Sequence, residues 1–217
     1  MEKRFNIVNS DIEQYIRNTL KPFDGYLQEI YEHAEKEGVP VAKLETVRVL
    51  GVILALKKPK SILELGCAVG FTSAFFVSYL DADGHIDTVE CDVDMVETAK
   101  SNMKKLGLEG IVRVVYAEAM DYLMNIDKKY DMIFIDAAKG QYERYFDICS
   151  NLLNDNGVII ADNVLYRGMV AKADKIPHRQ NTLVERLRSF LDKITKDERF
   201  DTSILSIGDG LSISVKK

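Results

Sequence analysis

The sequence has few cysteines and no cysteine pairing pattern, which excludes two classes of small, cross-linked protein. Its 3 cysteines, Cys67, Cys91 and Cys149, contain no CxxC spacing, and their number is odd. Disulfide frameworks and zinc sites need paired or closely spaced cysteines, so neither is expected. A reducing cytoplasm is therefore the predicted compartment.

Basic charge and long apolar runs are also scarce. The formal net charge is -5 and the isoelectric point about 5.4, so no global basic field favours tight non-specific nucleic-acid binding. A nucleic-acid substrate would need a local basic patch. The first residues carry no apolar signal core, and no apolar run approaches the ~20 residues of a membrane helix. No membrane partner is expected.

What the sequence does contain suits one α/β domain. The 217 residues are 47% hydrophobic, an ordinary share for a chain that buries a core. Helical periodicity in residues 11–37 predicts an N-terminal helical segment over residues 1–43. The rest, residues 44–217, is predicted as a Rossmann-like core within a single domain of residues 1–217.

A strand, a glycine turn and a helix form the most informative stretch. Ser61–Leu65 predicts a buried strand, and helical sequence follows from Phe71 to Leu80. Between them, Gly66 and Gly70 would let the backbone bend sharply and approach a ligand closely. Doubly wound α/β sheets open a nucleotide site in this way, although a plain tight turn would use the same residues.

The spacing of these glycines narrows the ligand. Gly-x-x-x-Gly is neither the dinucleotide fingerprint nor a phosphate-binding P-loop. Glu64, two residues before Gly66, argues instead for a ligand with an ammonium group. Glu90 ends the next predicted strand, Ile86–Glu90, where such folds place the carboxylate that bonds a ribose hydroxyl.

The remaining pattern alternates strands and helices before a final hairpin. This alternation predicts a doubly wound, mainly parallel seven-stranded sheet with a C-terminal antiparallel hairpin. The later strands are predicted at Val112–Tyr116, Met132–Ile135, Val158–Ala161, Thr202–Ser206 and Leu211–Val215, and the later helices at Val93–Leu106, Met120–Asn125, Tyr142–Leu153 and Thr182–Ile194.

Oxygen-bearing side chains follow two of these strands. Asp136 follows Met132–Ile135, and Asp162 and Asn163 follow the next strand along the chain. If these strands are neighbours, their carboxyl ends present all three side chains to one crevice. Such hard ligands suit Mg²⁺, with Mn²⁺ or Ca²⁺ as substitutes. Helix capping is the alternative role for Asp136 alone.

These stretches together resemble a known family. Glu64–Gly70 with Glu90 is similar to the S-adenosylmethionine site of class I methyltransferases. Ile135–Tyr142 and Asp162–Leu165 resemble the metal-dependent O-methyltransferases of the catechol and caffeoyl-CoA type. Within that family, the bacterial tRNA 5-hydroxyuridine methyltransferase branch looks most similar, and the likeness extends from about Asp11 to the end.

The resemblance implies roles for particular residues. It implies S-adenosylmethionine as methyl donor, a divalent cation on Asp136, Asp162 and Asn163, and a Lys139 that deprotonates the acceptor hydroxyl. Asp136 would act with Lys139 in catalysis and would also lie against the cofactor.

Further cofactor contacts follow from the same resemblance. Thr72 matches a hydroxyl on the methionine carboxylate, and Glu118 and Ala119 match an adenine-contacting pair. This chain has Ala117 and Glu118 where the family usually has Gly-Asp. Ala42 replaces a methionine of many relatives, so any cofactor contact there would be slight. Relatives are commonly dimers, which implies a homodimer.

The acceptor is the least determined part. The resemblance favours the wobble 5-hydroxyuridine of tRNA, which would become 5-methoxyuridine, and Tyr142 and Tyr166 could stack a base or simply pack. Catechol-like or hydroxycinnamoyl-CoA acceptors are the alternative. A basic lip that could hold phosphates, or could be only a solvated surface, is formed by Arg167, Lys172, Lys175, His178, Arg179, Arg186 and Arg188.

Two other classes fit less well. A non-catalytic S-adenosylmethionine-binding protein would have no need of the Asp136, Asp162, Asn163 and Lys139 set. A nicotinamide-dependent oxidoreductase is disfavoured by the glycine spacing.

Overall fold

The computed structural model describes residues 7–172 and 176–217. Within them, seven strands form one sheet in the order β3-β2-β1-β4-β5-β7-β6. The strands are β1 (Ser61–Leu65), β2 (His85–Glu90), β3 (Val112–Tyr116), β4 (Tyr130–Ile135), β5 (Leu153–Asp162), β6 (Phe200–Leu205) and β7 (Leu211–Lys216).

Helices cover both faces of this sheet and connect the parallel strands. The α-helices of the described residues are α1 (Ser10–Thr19), α2 (Gly25–Glu37), α3 (Leu44–Lys57), α4 (Phe71–Val77), α5 (Val93–Lys105), α6 (Ala119–Met124), α7 (Tyr142–Leu152) and α8 (His178–Lys196). The expected mainly parallel α/β sheet is confirmed.

The sheet is parallel except at one end. β1 pairs in parallel with both β2 and β4, and β4 pairs in parallel with β5. β7 is antiparallel to β5 and to β6, which makes the expected C-terminal hairpin. β2 and β3 lie on one side of β1, and β4 and β5 lie on the other, so the strand order reverses between β1 and β4. Such folds bind ligands in the crevice at this point.

Two apolar clusters hold the layers together, one on each face of the sheet. Leu63 and Leu65 of β1 face the cluster under α6, α7 and α8, whereas Ile62 faces the cluster under α2, α3 and α4. Every residue of β1 is buried. A strand covered on both faces is mostly apolar, and Ile62, Leu63 and Leu65 made β1 recognisable in the sequence.

The two N-terminal helices differ in how they attach. α2 buries Ile30 and Ala34 in the cluster under α3 and α4. α1 buries no residue, and its contact with α3 is polar: the Arg17 guanidinium donates to both carboxylate oxygens of Glu45, at 2.8 and 2.9 Å. Tyr15 of α1 remains exposed.

Several predicted boundaries were wrong. β5 begins at Leu153 rather than Val158, because the turn-like residues Asn154 to Gly157 form an irregularity inside the strand, with Asn156 at φ 58°. α4 stops at Val77 instead of Leu80. α8 begins at His178 instead of Thr182.

No helix of the described residues is both long and apolar enough to span a bilayer.

Candidate functional site

The candidate site lies at the carboxyl edge of the sheet, around the ends of β1 and β4. The turn after β1 and the first residue after β4 touch there. The Asp136 N–H donates to the Leu65 carbonyl at 2.9 Å, and the Gly66 N–H donates to the Val89 carbonyl at 2.8 Å. Backbone bonds therefore fix the glycine turn between β2 and β4.

Glycine is required at both ends of this turn for packing reasons. Gly66 has φ 88°, and a Cβ there would lie 2.1 Å from the Asp136 carbonyl oxygen. Gly70 has φ 81°, and a Cβ there would lie 2.9 Å from the Met103 methyl group of α5. Glycine allows both the left-handed conformation and the close contact. The turn is therefore pressed against Asp136 on one side and α5 on the other.

The Glu90 carboxylate binds the backbone of its own loop after β2 and of the glycine turn after β1. Its carboxylate accepts from the N–H groups of Ala68, Cys91 and Asp92 at 2.9, 2.8 and 3.0 Å. The bond to Ala68 reaches into the glycine turn, where Ala68 has a left-handed φ of 44°. Glu90 is half-buried. If Glu90 binds a ribose hydroxyl as predicted, the same carboxylate would bind both the ribose and the backbone of the glycine turn.

Glu64 lies beneath the turn, with no part of its side chain exposed. Its Oε2 accepts from the hydroxyls of Ser73 and Thr88, the latter at 2.6 Å. Its Oε1 is buried and has no partner in the part of the chain that the structure describes. Burial, with smaller contributions from the Asp136 and Glu90 charges, raises the pKa of Glu64 to about 7, against the opposing effect of the two hydroxyl hydrogen bonds.

Asn102 of α5 holds the other side of the turn. This buried side chain donates to the Val69 carbonyl at 2.9 Å and accepts from the Tyr26 hydroxyl of α2 at 3.1 Å. Together with Glu90, it holds the turn from both sides. The unpartnered Glu64 oxygen lies below a backbone turn that hydrogen bonds hold in place. This arrangement fits a ligand that carries positive charge and hydrogen-bonding groups, as S-adenosylmethionine does.

The other predicted cofactor residues lie around the same edge. Thr72 is a buried residue of α4, just after Gly70. Glu118 is exposed and precedes the buried Ala119 at the start of α6, and the Ala117 N–H donates to the Glu90 carbonyl at 3.0 Å. Ala42 is 4% exposed and packs in the cluster under α3, so its side chain offers almost no surface to a ligand.

The predicted metal ligands come together through strand register. Ile135 of β4 pairs with Ala161 of β5, so the next residues, Asp136 and Asp162, lie side by side. Asn163 follows with φ 57°, and its N–H donates to the Asp162 Oδ1 at 2.6 Å. The left-handed backbone at Asn163 turns the chain directly after the strand, next to Asp162.

Both carboxylates of this corner have raised pKa values. Asp162 is 1% exposed, and its burial and the Asp136 charge raise its pKa to about 8. Burial also raises the pKa of Asp136. Neither carboxylate makes an ion pair within residues 7–172 and 176–217, although the charge of Lys139 lowers both pKa values. Two adjacent carboxylates and an amide oxygen are a hard donor set that suits a divalent cation.

The donor set also argues against zinc. No group of three or more His, Cys, Asp or Glu side chains is arranged to hold a metal in the described part of the chain. The third donor at this corner is the amide of Asn163, and hard oxygen ligands favour Mg²⁺, Mn²⁺ or Ca²⁺ over zinc.

Lys139 begins a short 3₁₀ turn, Lys139–Gln141, after β4. Its side chain is half-buried, and its charge acts on Asp136, Asp162 and Asp209. The predicted base therefore lies in the electrostatic field of three carboxylates.

Of the two roles left open for Tyr142, base stacking and packing, the structure supports packing. The Tyr142 side chain is 1% exposed and packs in the cluster under α7 and α8. Its hydroxyl donates to the Asp162 backbone carbonyl at 3.0 Å. Tyr142 therefore supports the corner from inside. Tyr166 is half-buried and remains able to meet a ligand.

The predicted basic lip is smaller than its sequence suggested. The Arg188 guanidinium donates to the carbonyls of Val170 and Lys172 and pairs with Glu185 at 2.7 Å, so it stabilises the loop after β5. Arg186 reaches the Gly140 carbonyl at 3.4 Å. Lys175 lies outside the described residues. The exposed basic residues of this rim are Arg167, His178, Arg179 and Arg186.

Asp209 received no site role from the sequence, where it lies in the turn of the predicted C-terminal hairpin. The structure places this turn against the loop after β5, where the Asp209 carboxylate accepts from the Arg167 N–H. Its charge raises the pKa of Asp162. An aspartate between two glycines was the available signal, but nothing local showed which loop it would meet.

Comparison with known proteins agrees with this geometry. The family model described as "O-methyltransferase" matches residues 23–217. A catechol O-methyltransferase of Niastella koreensis is 26% identical over 223 residues, covering 98% of this chain and 99% of its own. A caffeoyl-CoA O-methyltransferase of Populus kitakamiensis is 29% identical over 173 residues, covering 76% of this chain and 74% of its own.

Solved structures give the same result. A Staphylococcus aureus protein described as a candidate caffeoyl-CoA O-methyltransferase is 33% identical, with a TM-score of 0.82 and coverage of 95% of this chain and 96% of its own. A Bacillus cereus O-methyltransferase in complex with SAH is 26% identical, with a TM-score of 0.83 and coverage of 95% and 97%.

Proposed function

Because the chain belongs to the O-methyltransferase family and uses S-adenosylmethionine as methyl donor, we propose that its acceptor is a small phenol with neighbouring oxygens. Catechol and hydroxycinnamoyl-CoA esters are the two acceptor types to test. We further propose that the reaction depends on a divalent cation held by Asp136, Asp162 and Asn163. Relatives named for catechol and caffeoyl-CoA support the acceptor class.

The observation that carries the metal-dependent proposal is the pair of neighbouring carboxylates at the β4 and β5 ends. Asp136 and Asp162 follow a register pair, have no ion pair within the described ranges, and stand beside the glycine turn of the cofactor site. A cation bound there would lower the pKa of a coordinated hydroxyl, so that its oxyanion forms near neutral pH. The two carboxylates and Asn163 would hold that cation.

The remaining steps belong to this chain's own side chains. We assign the acceptor proton to Lys139 because its side chain lies near both Asp136 and Asp162, and the lysine must be uncharged to take that proton. Glu90 and Asn102 hold the glycine turn that orients the donor. Gly66 lets that turn pack directly against Asp136, so the donor site and the acceptor site would lie next to each other. Direct transfer needs such alignment of oxygen, methyl carbon and sulfur.

A second candidate acceptor is tRNA containing 5-hydroxyuridine. The observation in its favour is the exposed basic rim beside the corner, at Arg167, His178 and Arg179, which suits phosphate contacts. Arg188 no longer supports this candidate, because its guanidinium is used within the protein. The half-buried Tyr166 suits a phenol or a base equally.

The test is a methylation assay with labelled S-adenosylmethionine and Mg²⁺. Catechol, caffeoyl-CoA and tRNA carrying 5-hydroxyuridine would be compared, each with and without EDTA. We expect cation-dependent labelling of a small phenol, with far less on tRNA. Efficient labelling of tRNA alone would transfer the assignment to the second candidate. Labelling that EDTA leaves unchanged would contradict the role of the Asp136–Asp162 pair.

Arg167→Gln provides a matched control for the acceptor class. Arg167 is exposed on the rim; its backbone N–H donates to the Asp209 carboxylate, and its side-chain charge acts on the same group. Loss of its charge should leave catechol turnover near wild type. It should weaken tRNA use if phosphates bind there.

A further inference from the structure

The loop after β5 has an unusual backbone for a segment without matching glycines. Asn163, Tyr166 and Arg167 have φ values of 57°, 44° and 54°. Residues with a side chain seldom adopt the left-handed conformation, asparagine more readily than tyrosine or arginine. Such conformations persist when the surrounding structure holds them in place. We therefore expect a contact with another part of the chain to stabilise this loop.

The hairpin turn between β6 and β7 supplies that hold. The Val164 N–H donates to the Gly210 carbonyl and the Leu165 N–H to the Asp209 carbonyl, each at 3.0 Å. The Arg167 N–H donates to the Asp209 carboxylate. Asp209 thus binds the loop through both its backbone and its side chain, on either side of the left-handed Tyr166.

The hairpin turn and the loop after β5 are closely packed against each other. A Cβ at Gly210 would lie 2.4 Å from Leu165 Cγ and 2.8 Å from the Leu165 nitrogen. Displacement of the hairpin turn would therefore move Leu165, two residues from Asn163. Asp209 is half-buried and lies in the fields of Lys139 and Asp162, so its side chain belongs to this corner rather than to open solvent.

We propose that Asp209 is a positioning residue for the metal corner: by holding the Arg167 N–H it fixes the loop that presents Asn163 beside Asp162. This inference rests on the proposed cation-dependent function. Groups that orient metal ligands typically contribute 10–100-fold to metal affinity. Asp209 would do so through the backbone of the loop, without touching donor or acceptor.

The first measurement uses the chain without added cation. Hydrogen exchange at the Leu165 and Arg167 amides should become faster in Asp209→Ala, because the carboxylate acceptor is lost and the loop is released. Asp209→Asn should exchange like the wild type, since its amide oxygen can accept the same bond. Asp201→Ala, an exposed aspartate of the same hairpin that pairs with Lys217 at 3.2 Å, is the matched control.

The second measurement is Mn²⁺ affinity, followed by electron paramagnetic resonance without acceptor. Asp209→Ala should bind Mn²⁺ about tenfold more weakly, whereas Asp209→Asn and Asp201→Ala should bind it like the wild type. S-adenosylmethionine affinity, measured by calorimetry, should not change, because the glycine turn is held by Glu90 and Asn102. If Asp209→Ala also loses the cofactor through misfolding, Asp209→Glu, which displaces the same carboxylate by one methylene, should show the Mn²⁺ loss instead.

The outcomes separate this inference from the proposed function. Equal Mn²⁺ affinity in the wild type, Asp209→Ala and Asp209→Glu would overturn the inference and leave the function standing. A wild-type chain that binds no Mn²⁺ would overturn the cation-dependent function and the inference with it.

Discussion

The two halves of the site differ in how their carboxylates are satisfied. On the cofactor side, Glu90 accepts three backbone N–H groups and Glu64 accepts two hydroxyls. On the β4–β5 side, Asp162 accepts only the N–H of its neighbour Asn163 among the described residues. The protein supplies most hydrogen bonds of the cofactor half itself, with one Glu64 oxygen left without a partner among the described residues, whereas it supplies only one to Asp162.

This difference indicates two kinds of preorganisation. The cofactor half is ordered by hydrogen bonds, so its shape should persist without a ligand. The other half is ordered by strand register and by the hairpin turn, while its charges repel each other. Buried carboxylates without partners cost stability, which a bound cation would recover. Changes in the two halves should therefore have separable effects.

The largest separation is expected from Asp162→Asn. Turnover should fall on the order of 10³-fold, because metal catalysis supplies several kcal/mol of charge stabilisation. Cofactor affinity should stay near wild type. The cation-free variant should also melt a few degrees higher at pH 8, since a buried charge is removed while the bond from the Asn163 N–H can be kept. Steady-state kinetics, calorimetry and thermal melts would measure the three effects. Normal turnover would remove the metal assignment.

Lys139 should give the next largest effect. Lys139→Met should lower kcat by about 10²-fold or more, as expected for loss of a positioned proton acceptor. Lys139→Arg keeps the charge but cannot take the proton, so we expect it to be as impaired as the methionine variant. Recovery in the arginine variant would instead assign Lys139 a purely electrostatic role. Lys100→Met, on the exposed surface of α5, serves as the control.

Glu90→Ala should act on the opposite half. Loss of a charged acceptor of three backbone bonds should weaken S-adenosylmethionine binding by about 10–100-fold. Turnover at saturating cofactor should change less than the affinity, because the β4–β5 corner remains intact. Calorimetry on the free chain measures the first quantity and saturation kinetics the second. Glu97→Ala, an exposed carboxylate on α5, is the comparison. Unchanged affinity in Glu90→Ala would discredit the ribose assignment.

The smallest effect concerns the pH dependence of stability. Burial raises the pKa of Glu64 from its ordinary 4.5 to about 7, so the folded chain binds this proton more tightly than the unfolded chain. The resulting stabilisation is fully present below pH 4.5 and is lost as the pH rises through 7.

Glu64→Gln isolates this contribution. The free energy of unfolding of the cofactor-free wild type should fall more steeply between pH 4.5 and 7 than that of Glu64→Gln. Urea melts at a series of pH values would show the difference. Parallel curves for the two proteins would mean that Glu64 is charged beneath the turn across this range.

The sequence was most informative where local chemistry decides structure. β1 is short and mostly apolar because both of its faces are buried, with Glu64 as a buried charged exception, and Gly66 and Gly70 mark a turn that other residues could not adopt. The sequence was less informative where turn-like residues lie inside a strand. Asn154 to Gly157 suggested the end of a helix, but pairing of Leu153 with Tyr130 draws them into β5.

Residue type alone also failed to give the environment of a side chain. Tyrosine and arginine are residue types common on nucleic-acid-binding surfaces. Tyr142, however, is buried against the Asp162 backbone, and Arg188 binds loop carbonyls. Asp209 looked like an ordinary turn residue, yet it lies against the loop after β5. In each case, the partner is 16 or more residues away.

The amino-acid order by itself determined the alternation of strands and helices, the glycine turn, and which oxygen-bearing residues follow the strands, because periodicity and backbone freedom act over a few residues. Tertiary structure alone decided that Ile135 pairs with Ala161, and so that Asp136 meets Asp162. It also decided which tyrosine stays accessible and which aspartate holds the Asn163 loop. These outcomes depend on register and on packing between distant segments, which no local pattern encodes.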